Sequence, residues 1–296
     1  MQDAPDKSIR AILTFLLITF SLSAAFYLLI IHTGKIGSGF GLYVTGLMWC
    51  PGLSALITSR ILNRKISLLG WQWGNTRLQV WSYLVPFLYA LIAYSVIWAV
   101  GWGGFYNHDY VKAVTDNFGF GTLPTAVTIA FFFILGALYG LPSSCATALG
   151  EEIGWRGFLV PELYKKLGYT KTAIVAAIIW ALWHYPILLF ADYNSGTSAC
   201  YALSCFTAMV IGLSFIFTWF RLRSGSLWTG VLLHGSHNLF IQMIFTPLTA
   251  DTGNTKYYVD EFGAVLPVVC LLFAVYFWTK RHQLSPPQQA IDTETQ

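Results

Sequence analysis

Glu151 and Glu152 stand side by side in GEEIGWRGFLVPEL, residues 150–163, with Arg156 four positions beyond the second of them. His184 lies in WALWHYP, and His234, His237 and Asn238 share LLHGSHNLF. These are the residue types of a hydrolytic site. A carboxylate and an imidazole can activate water by taking up its proton, and an amide or a protonated ring can stabilise the charge that develops on the attacked carbonyl. Helical spacing sorts the set. Glu152 and Arg156 are i, i+4, the favoured order for an ion pair. That leaves Glu151 without a cation on its own helix and directs it to a partner elsewhere, with His184 the obvious one. His234 and Asn238 also stand at i, i+4 and share a face, whereas His237 points about 60° away from His234 and is the spare histidine.

The elements that carry these groups are membrane spans. The chain has 296 residues, 56% hydrophobic and only 10% charged, against about 25% charged in ordinary soluble domains. A transmembrane helix needs roughly 20 mostly apolar residues. Eight segments qualify, near residues 11–32, 40–60, 80–100, 125–149, 172–191, 198–220, 226–248 and 263–280. The expectation is an all-α polytopic membrane protein with about eight transmembrane helices in one bundle. Residues 1–10 form a cytoplasmic N-terminal segment, 11–280 the bundle with its motif-bearing core at about 125–249, and 281–296 a disordered cytoplasmic tail, polar and proline-bearing. The first span is longer than a signal-peptide core and is read as retained. The connecting stretches are too short to bury a separate soluble core.

Lysine and arginine fix the sense of insertion, because short cytoplasmic loops are enriched in them. With the N-terminus inside, one side holds Lys7, Arg10, Arg60, Arg64, Lys65, Arg77, Arg156, Lys165, Lys166, Lys171, Arg221, Arg223, Lys280 and Arg281, and the other holds Lys35, Lys112 and Lys256. The chain is thus expected in the cell membrane with both termini cytoplasmic. Its net charge of +4 reflects topology rather than nucleic-acid binding, and neither a Gly-rich phosphate loop nor a basic aromatic platform is present. At 1.5 Å per helical residue, His184 lies roughly 18 Å and His234 roughly 12 Å from the cytoplasmic starts of their spans. The glutamates end a span that runs inward. All three segments therefore carry polar groups to comparable depth in the cytoplasmic half.

Each feature has a plainer explanation. A glutamate pair near a helix end is more often a solvated interfacial face, a lone intramembrane histidine is about as often a packing residue, and a His-Asn pair can simply bridge helices. Ionisable groups inside spans are nonetheless rare and mark function, and their convergence at one depth favours a site. Cys50, Cys145, Cys200, Cys205 and Cys270 show neither metal-like nor disulfide-like spacing and read as small buried hydrophobes.

EEIGWRG, Trp180 to His184 and His234 to Asn238 together resemble the three motifs of the CPBP family. These are the type II CAAX prenyl endopeptidase and bacteriocin-processing, or Abi, intramembrane proteases. The motifs are glutamate-glutamate-three residues-arginine, aromatic-three residues-histidine and histidine-three residues-asparagine. One departure is Trp180, where the family usually has phenylalanine; aromatic bulk is kept. The resemblance implies an eight-helix membrane endopeptidase with its site below the cytoplasmic face. It implies that Glu151 and His184 hold and activate water, that His234 and Asn238 stabilise the oxyanion, and that Glu152 and Arg156 support the first motif. The implied partners are the lipid bilayer and a peptide or prenylated or otherwise lipidated protein substrate.

A metal is left open. Glu151, His184 and His234 make a zinc-type donor set, but no H-E-x-x-H helix occurs and a Glu-His pair can activate water unaided. Two readings compete from other classes. A proton-coupled transporter could use the same buried groups, with Pro51, Pro86, Pro142 and Pro186 breaking spans, although no internal duplication is seen. A non-proteolytic membrane scaffold could retain the motifs. The triplets Gly52-Leu53-Ser54 and Gly212-Leu213-Ser214 are only loose serine-protease look-alikes, and no aspartate pair lies in the spans.

Overall fold

A computed structural model of the chain describes residues 7–121 and 123–286. Among the described residues ten α-helices are formed: α1 Lys7–Thr33, α2 Leu42–Ile61, α3 Thr76–Val100, α4 His108–Asn117, α5 Thr125–Leu135, α6 Leu141–Glu152, α7 Val160–Phe190, α8 Ala199–Ser224, α9 Trp228–Asn238 and α10 Val265–Thr279. Two two-residue strands, β1 Gly104–Phe105 and β2 Thr249–Ala250, pair antiparallel. The all-α class holds. Short polar residues start helices where the apolar runs begin: the Asn75 and Ser198 side chains accept from the Arg77 and Tyr201 backbone N–H groups, satisfying donors that an isolated helix end leaves unpaired.

Length and composition alone mark six candidate spans rather than eight, for two local reasons. The expected fourth and fifth spans merge into one run, 125–190, of 66 residues. Gly168 breaks that run with φ +67°, a left-handed conformation that costs glycine least, and the chain reverses there. The expected seventh span is α9 continued by a π-helical segment, Leu239–Phe245, and α9 itself has only 11 residues.

Hydrogen bonds stitch the ends of the bundle into two opposite faces. On one face, the Ile36 N–H donates to Asp192 at 2.7 Å, Lys256 Nζ donates to the Gly196 carbonyl at 3.1 Å, and β1 meets β2. On the other, Arg64 pairs with Glu162 at 2.8 Å, Gln72 donates to the Gly225 carbonyl at 2.8 Å, and Tyr164 donates to the Ser285 carbonyl at 2.6 Å. This second face carries the start of α1 and the end of α10.

Both terminal expectations need amendment. Residues 7–10 already belong to α1, because the apolar run gives the helix packing from Ala11 onward. Lys280–Gln283 form a 3-10 turn, and Ser285 is docked on Tyr164. The remaining parts of the expected N-terminal segment and disordered tail, residues 1–6 and 287–296, lie outside the described residues. The cysteines are free, and Cys50 and Cys270 are buried as expected. Cys200, in contrast, is exposed because it starts α8 at a bundle end.

Close approach of helices brings the motifs together. Lipid gives helices little hydrophobic reason to associate, so small residues that allow tight packing matter more than in water. A Cβ on Gly150 would sit 2.7 Å from the Trp49 Cα, and so α6 can lie directly against the middle of α2.

Candidate active site

The two glutamates do not end a span. The helix continues through a π-helical segment, Ile153–Leu159, and on to Leu167, which leaves Glu151 and Glu152 in mid-helix beside Trp49–Pro51. A second π segment follows Asn238 directly. Such insertions change which side chains share a face and occur often at functional sites. Here one runs through the first motif and the other follows the third.

Glu151 and Glu152 point in different directions. Glu151 is 1% exposed, and its Oε2 accepts from the indole N–H groups of Trp155 at 3.1 Å and Trp180 at 2.9 Å. Glu152 is fully buried; its Oε1 accepts from Arg156 at 2.9 Å and meets His234 Nδ1 at 3.0 Å. The expected Glu152–Arg156 pair is therefore present. The expected partnership of Glu151 with His184 takes another form: both line one cavity, but the protein groups that hold Glu151 are two tryptophans. Glu152 has room only because its neighbour on α9 is glycine, since a Cβ at Gly230 would lie 2.6 Å from Oε2.

Trp180 is central to this arrangement. Its indole N–H holds Glu151, its carbonyl accepts from His184 Nδ1 at 2.9 Å, and its ring lies 4.1 Å from the Arg156 guanidinium carbon. Arg156 is also 4.3 Å from the Phe217 ring, so the buried cation sits between two aromatic faces. Phenylalanine could supply the stacking but not the N–H. Tryptophan at this position therefore adds a hydrogen bond to the bulk anticipated for it.

The hydrogen bonds also fix ring tautomers. A carbonyl only accepts, so His184 Nδ1 carries hydrogen, and the neutral ring presents its lone pair at Nε2. His234 Nδ1 likewise donates to the Glu152 carboxylate. For its Nε2 to donate as well, that ring must carry a second proton.

Glu151, His184, His234, His237 and Asn238 line one cavity of about 360 Å³, whereas Glu152 and Arg156 lie behind its wall. At about 30 Å³ per water the space could hold on the order of ten waters. A larger groove of about 940 Å³, between α3, α8 and α10, has neither carboxylate nor imidazole in its lining among the described residues. The smaller space is the chemical one.

His237 is not spare. Its Nδ1 meets Tyr89 Oη at 2.7 Å and its Nε2 meets Glu261 Oε1 at 3.0 Å. Glu261 also accepts from Gln242 at 3.1 Å and from Tyr193 at 2.6 Å, and it lines the cavity. Burial favours a neutral Glu261, but the hydrogen bonds from His237 and the Tyr193 hydroxyl outweigh it and hold the carboxyl well below the usual range. Glu261 was missed because residues 250–262 read as a connecting loop. The available signal was the acidic pair Asp260-Glu261 inside an aromatic setting, YYVDEF.

Residues of the loops between spans join the motif residues around the cavity. The cavity is lined by Ile36, Tyr193 and Glu261, which belong to the loop face opposite the termini, and by the α2 and α6 segments nearest that face, including Thr45 and Ser143. Counting from the start of a span misjudged the glutamates, because α6 does not stop where the apolar run does. Among the described residues no three His, Cys, Asp or Glu side chains group closely enough to hold an ion.

Residues 134–240 match the family model described as Type II CAAX prenyl endopeptidase Rce1-like, a stretch that takes in all three motifs. Over 170 residues the chain is 25% identical to CAAX prenyl protease 2 of Methanococcus maripaludis, with 55% of each protein covered. The chain spans about half the length of this curated relative. Both matches support the CPBP resemblance carried by the motifs.

Proposed function

We propose that this chain, whose core groups with the CPBP proteases, is an intramembrane endopeptidase that hydrolyses a peptide bond of a membrane-associated substrate. The observation that carries the proposal is the meeting of Glu151, His184, His234 and Asn238 around one cavity inside an apolar bundle. Water held there lies between a carboxylate and an imidazole lone pair. Glu151 takes a proton from that water with His184 Nε2 orienting it, and the oxygen adds to the substrate carbonyl carbon. The resulting oxyanion is stabilised by the Asn238 amide and by protonated His234. The proton is then delivered to the leaving amine nitrogen as the C–N bond breaks. No metal enters these steps. Glu152 and Arg156 act from behind the wall: Glu152 orients His234, and Arg156 balances Glu152.

Removing one oxyanion donor in other hydrolases costs on the order of 10²–10³ in turnover, and loss of the base costs at least as much. Purified Glu151→Gln and His184→Ala are expected to insert, migrate as the native protein does in size-exclusion chromatography, and lose cleavage of a membrane peptide by more than a hundredfold. Native-level cleavage by folded Glu151→Gln would refute the assignment. The relative's name points to prenylated C-terminal peptides as one substrate class. A side-by-side comparison of peptides accumulating in cells carrying native protein or Glu151→Gln identifies the substrate directly.

A further inference from the structure

We propose that the groove between α3, α8 and α10 binds one anionic phospholipid of the bilayer, with the acyl chains along the groove and the phosphate at its basic end. The groove encloses about 940 Å³ and, among the described residues, shares no lining residue with the cavity of the motif residues. The inference therefore stands apart from the endopeptidase reading. The floor of the groove is apolar: Val85, Phe220 and Phe277 line it and are each at most 5% exposed. Along α3 the apolar lining runs from Leu78 to Leu88, roughly 15 Å at 1.5 Å per residue. That is half of a hydrocarbon core about 30 Å thick, the depth occupied by the acyl chains of one leaflet.

Three helices deliver a cation to the same end of that groove. Arg77 stands in the first turn of α3, Arg223 in the last turn of α8 and Lys280 directly after α10, and all of them line the groove. Hydrogen bonds hold these helix ends together, from Gln72 to the Gly225 carbonyl at 2.8 Å and from Arg223 Nη1 to the Gln283 carbonyl at 3.1 Å. Among the described residues no carboxylate lines the groove, and none of the three cations forms an ion pair. Arg223 and Lys280 gain from the negative ends of their helices, whereas Arg77 sits at a helix start, where the backbone is itself positive. No acidic residue in the first turn of α3 offsets that charge. A phosphate supplies the missing anion. Asn75 completes the cradle, because its Oδ1 accepts from the Arg77 N–H at 2.9 Å and leaves its NH2 group to donate at the groove lining. Trp81 and Tyr276, also in the lining, are rings of the kind that sit at headgroup level. Basic pockets between transmembrane helices bind the headgroups of anionic lipids, and an apolar floor with a cationic end is the complement of such a molecule. A zwitterionic headgroup carries its own cation and forfeits most of the attraction.

The test uses the purified whole chain in detergent, with palmitoyl-oleoyl phosphatidylglycerol as the probe and the phosphatidylcholine of the same chains as the control. Native mass spectrometry reads retention, and thermal unfolding reads the rise in Tm that any ligand of the native state produces. The glycerol lipid is expected to stay bound in one copy and to raise Tm, and the choline lipid to bind roughly tenfold more weakly. Each lysine or arginine near an anionic headgroup is worth about fivefold in affinity, so Arg77→Gln, Arg223→Gln and Lys280→Gln combined should weaken retention on the order of a hundredfold, with the lipid-free Tm near native. If that variant does not fold, Arg77→Gln alone, at an exposed side chain, should weaken it about fivefold. Leu272→Trp, which fills the groove from α10, should lower retention without a change of charge. Equal Tm shifts from the two lipids, or a glycerol-lipid shift unchanged in the charge variants, would overturn the proposal. So would a shift reproduced by glycerol phosphate without chains, which makes the basic end an ion site only. A shift seen only after deletion of residues 287–296 would give the groove to the chain's own tail, and a lipid-free dimer dispersed by Leu272→Trp would give it to a second copy; either result overturns the lipid assignment.

Discussion

Trp180→Phe isolates a single hydrogen bond at the centre of the site. The phenylalanine ring retains an aromatic face towards Arg156, which lies 4.1 Å from the tryptophan ring, and the backbone carbonyl that holds His184 is unchanged. What disappears is the 2.9 Å N–H bond to Glu151, leaving Trp155 at 3.1 Å as the remaining indole donor. Hydrogen bonds to charged groups contribute roughly 1.5–3 kcal/mol, whereas polar contacts between membrane helices average only about 0.6 kcal/mol for stability. The two magnitudes separate the readouts. Stability should fall by about 1 kcal/mol, a shift of only a few degrees in Tm. Catalysis depends on where the Glu151 carboxylate points, and at about 1.4 kcal/mol per decade the lost bond predicts a roughly tenfold to hundredfold fall in kcat/KM. Thermal unfolding in detergent and cleavage of a fluorogenic membrane peptide supply the two numbers. A variant within twofold of native kcat/KM would refute the idea that Trp180 positions Glu151. A Tm loss of more than ten degrees would instead show that the residue serves mainly as packing.

Two further perturbations test the support behind the cavity wall. Arg156→Ala leaves Glu152 buried with one partner fewer, a change that costs about 3–5 kcal/mol where a buried pair is broken. Adding Glu152→Gln should recover part of that stability, and equal melting of the single and double variants would contradict the pairing. Glu261→Gln replaces a carboxylate oxygen with a donor where Tyr193, His237 and Gln242 all converge, so a bond is lost unless His237 and Gln242 reverse their roles. Faster hydrogen exchange in residues 246–264 and about a tenfold loss of activity are expected; unchanged exchange would mean that this carboxylate does not anchor the loop.

The motif helices were legible because their signals are local. The apolar runs set the helices, the i, i+4 spacing set the Glu152–Arg156 pair, and the polar residues inside those runs marked the candidate site. Span four shows where local reading failed: hydropathy falls after Leu149, yet the helix continues through Ile153–Leu159, because packing against α2 and the pairing of Arg156 with Glu152 offset the cost of burying charge. Glu261 shows the same limit from the opposite direction, since a loop residue enters the site only when the chain folds back over α9.

Composition and periodicity by themselves determined that the chain is a helical membrane bundle and singled out the ionisable side chains inside its spans. Those properties depend on neighbours within a turn or two of helix, or on charge summed along the chain. Tertiary structure alone decided that Glu151 is held by two tryptophans, that His237 joins Glu261, and that loop residues line the cavity with the motif residues. Each of these depends on contacts between residues far apart in sequence, and only the packing of the helices specifies such distances.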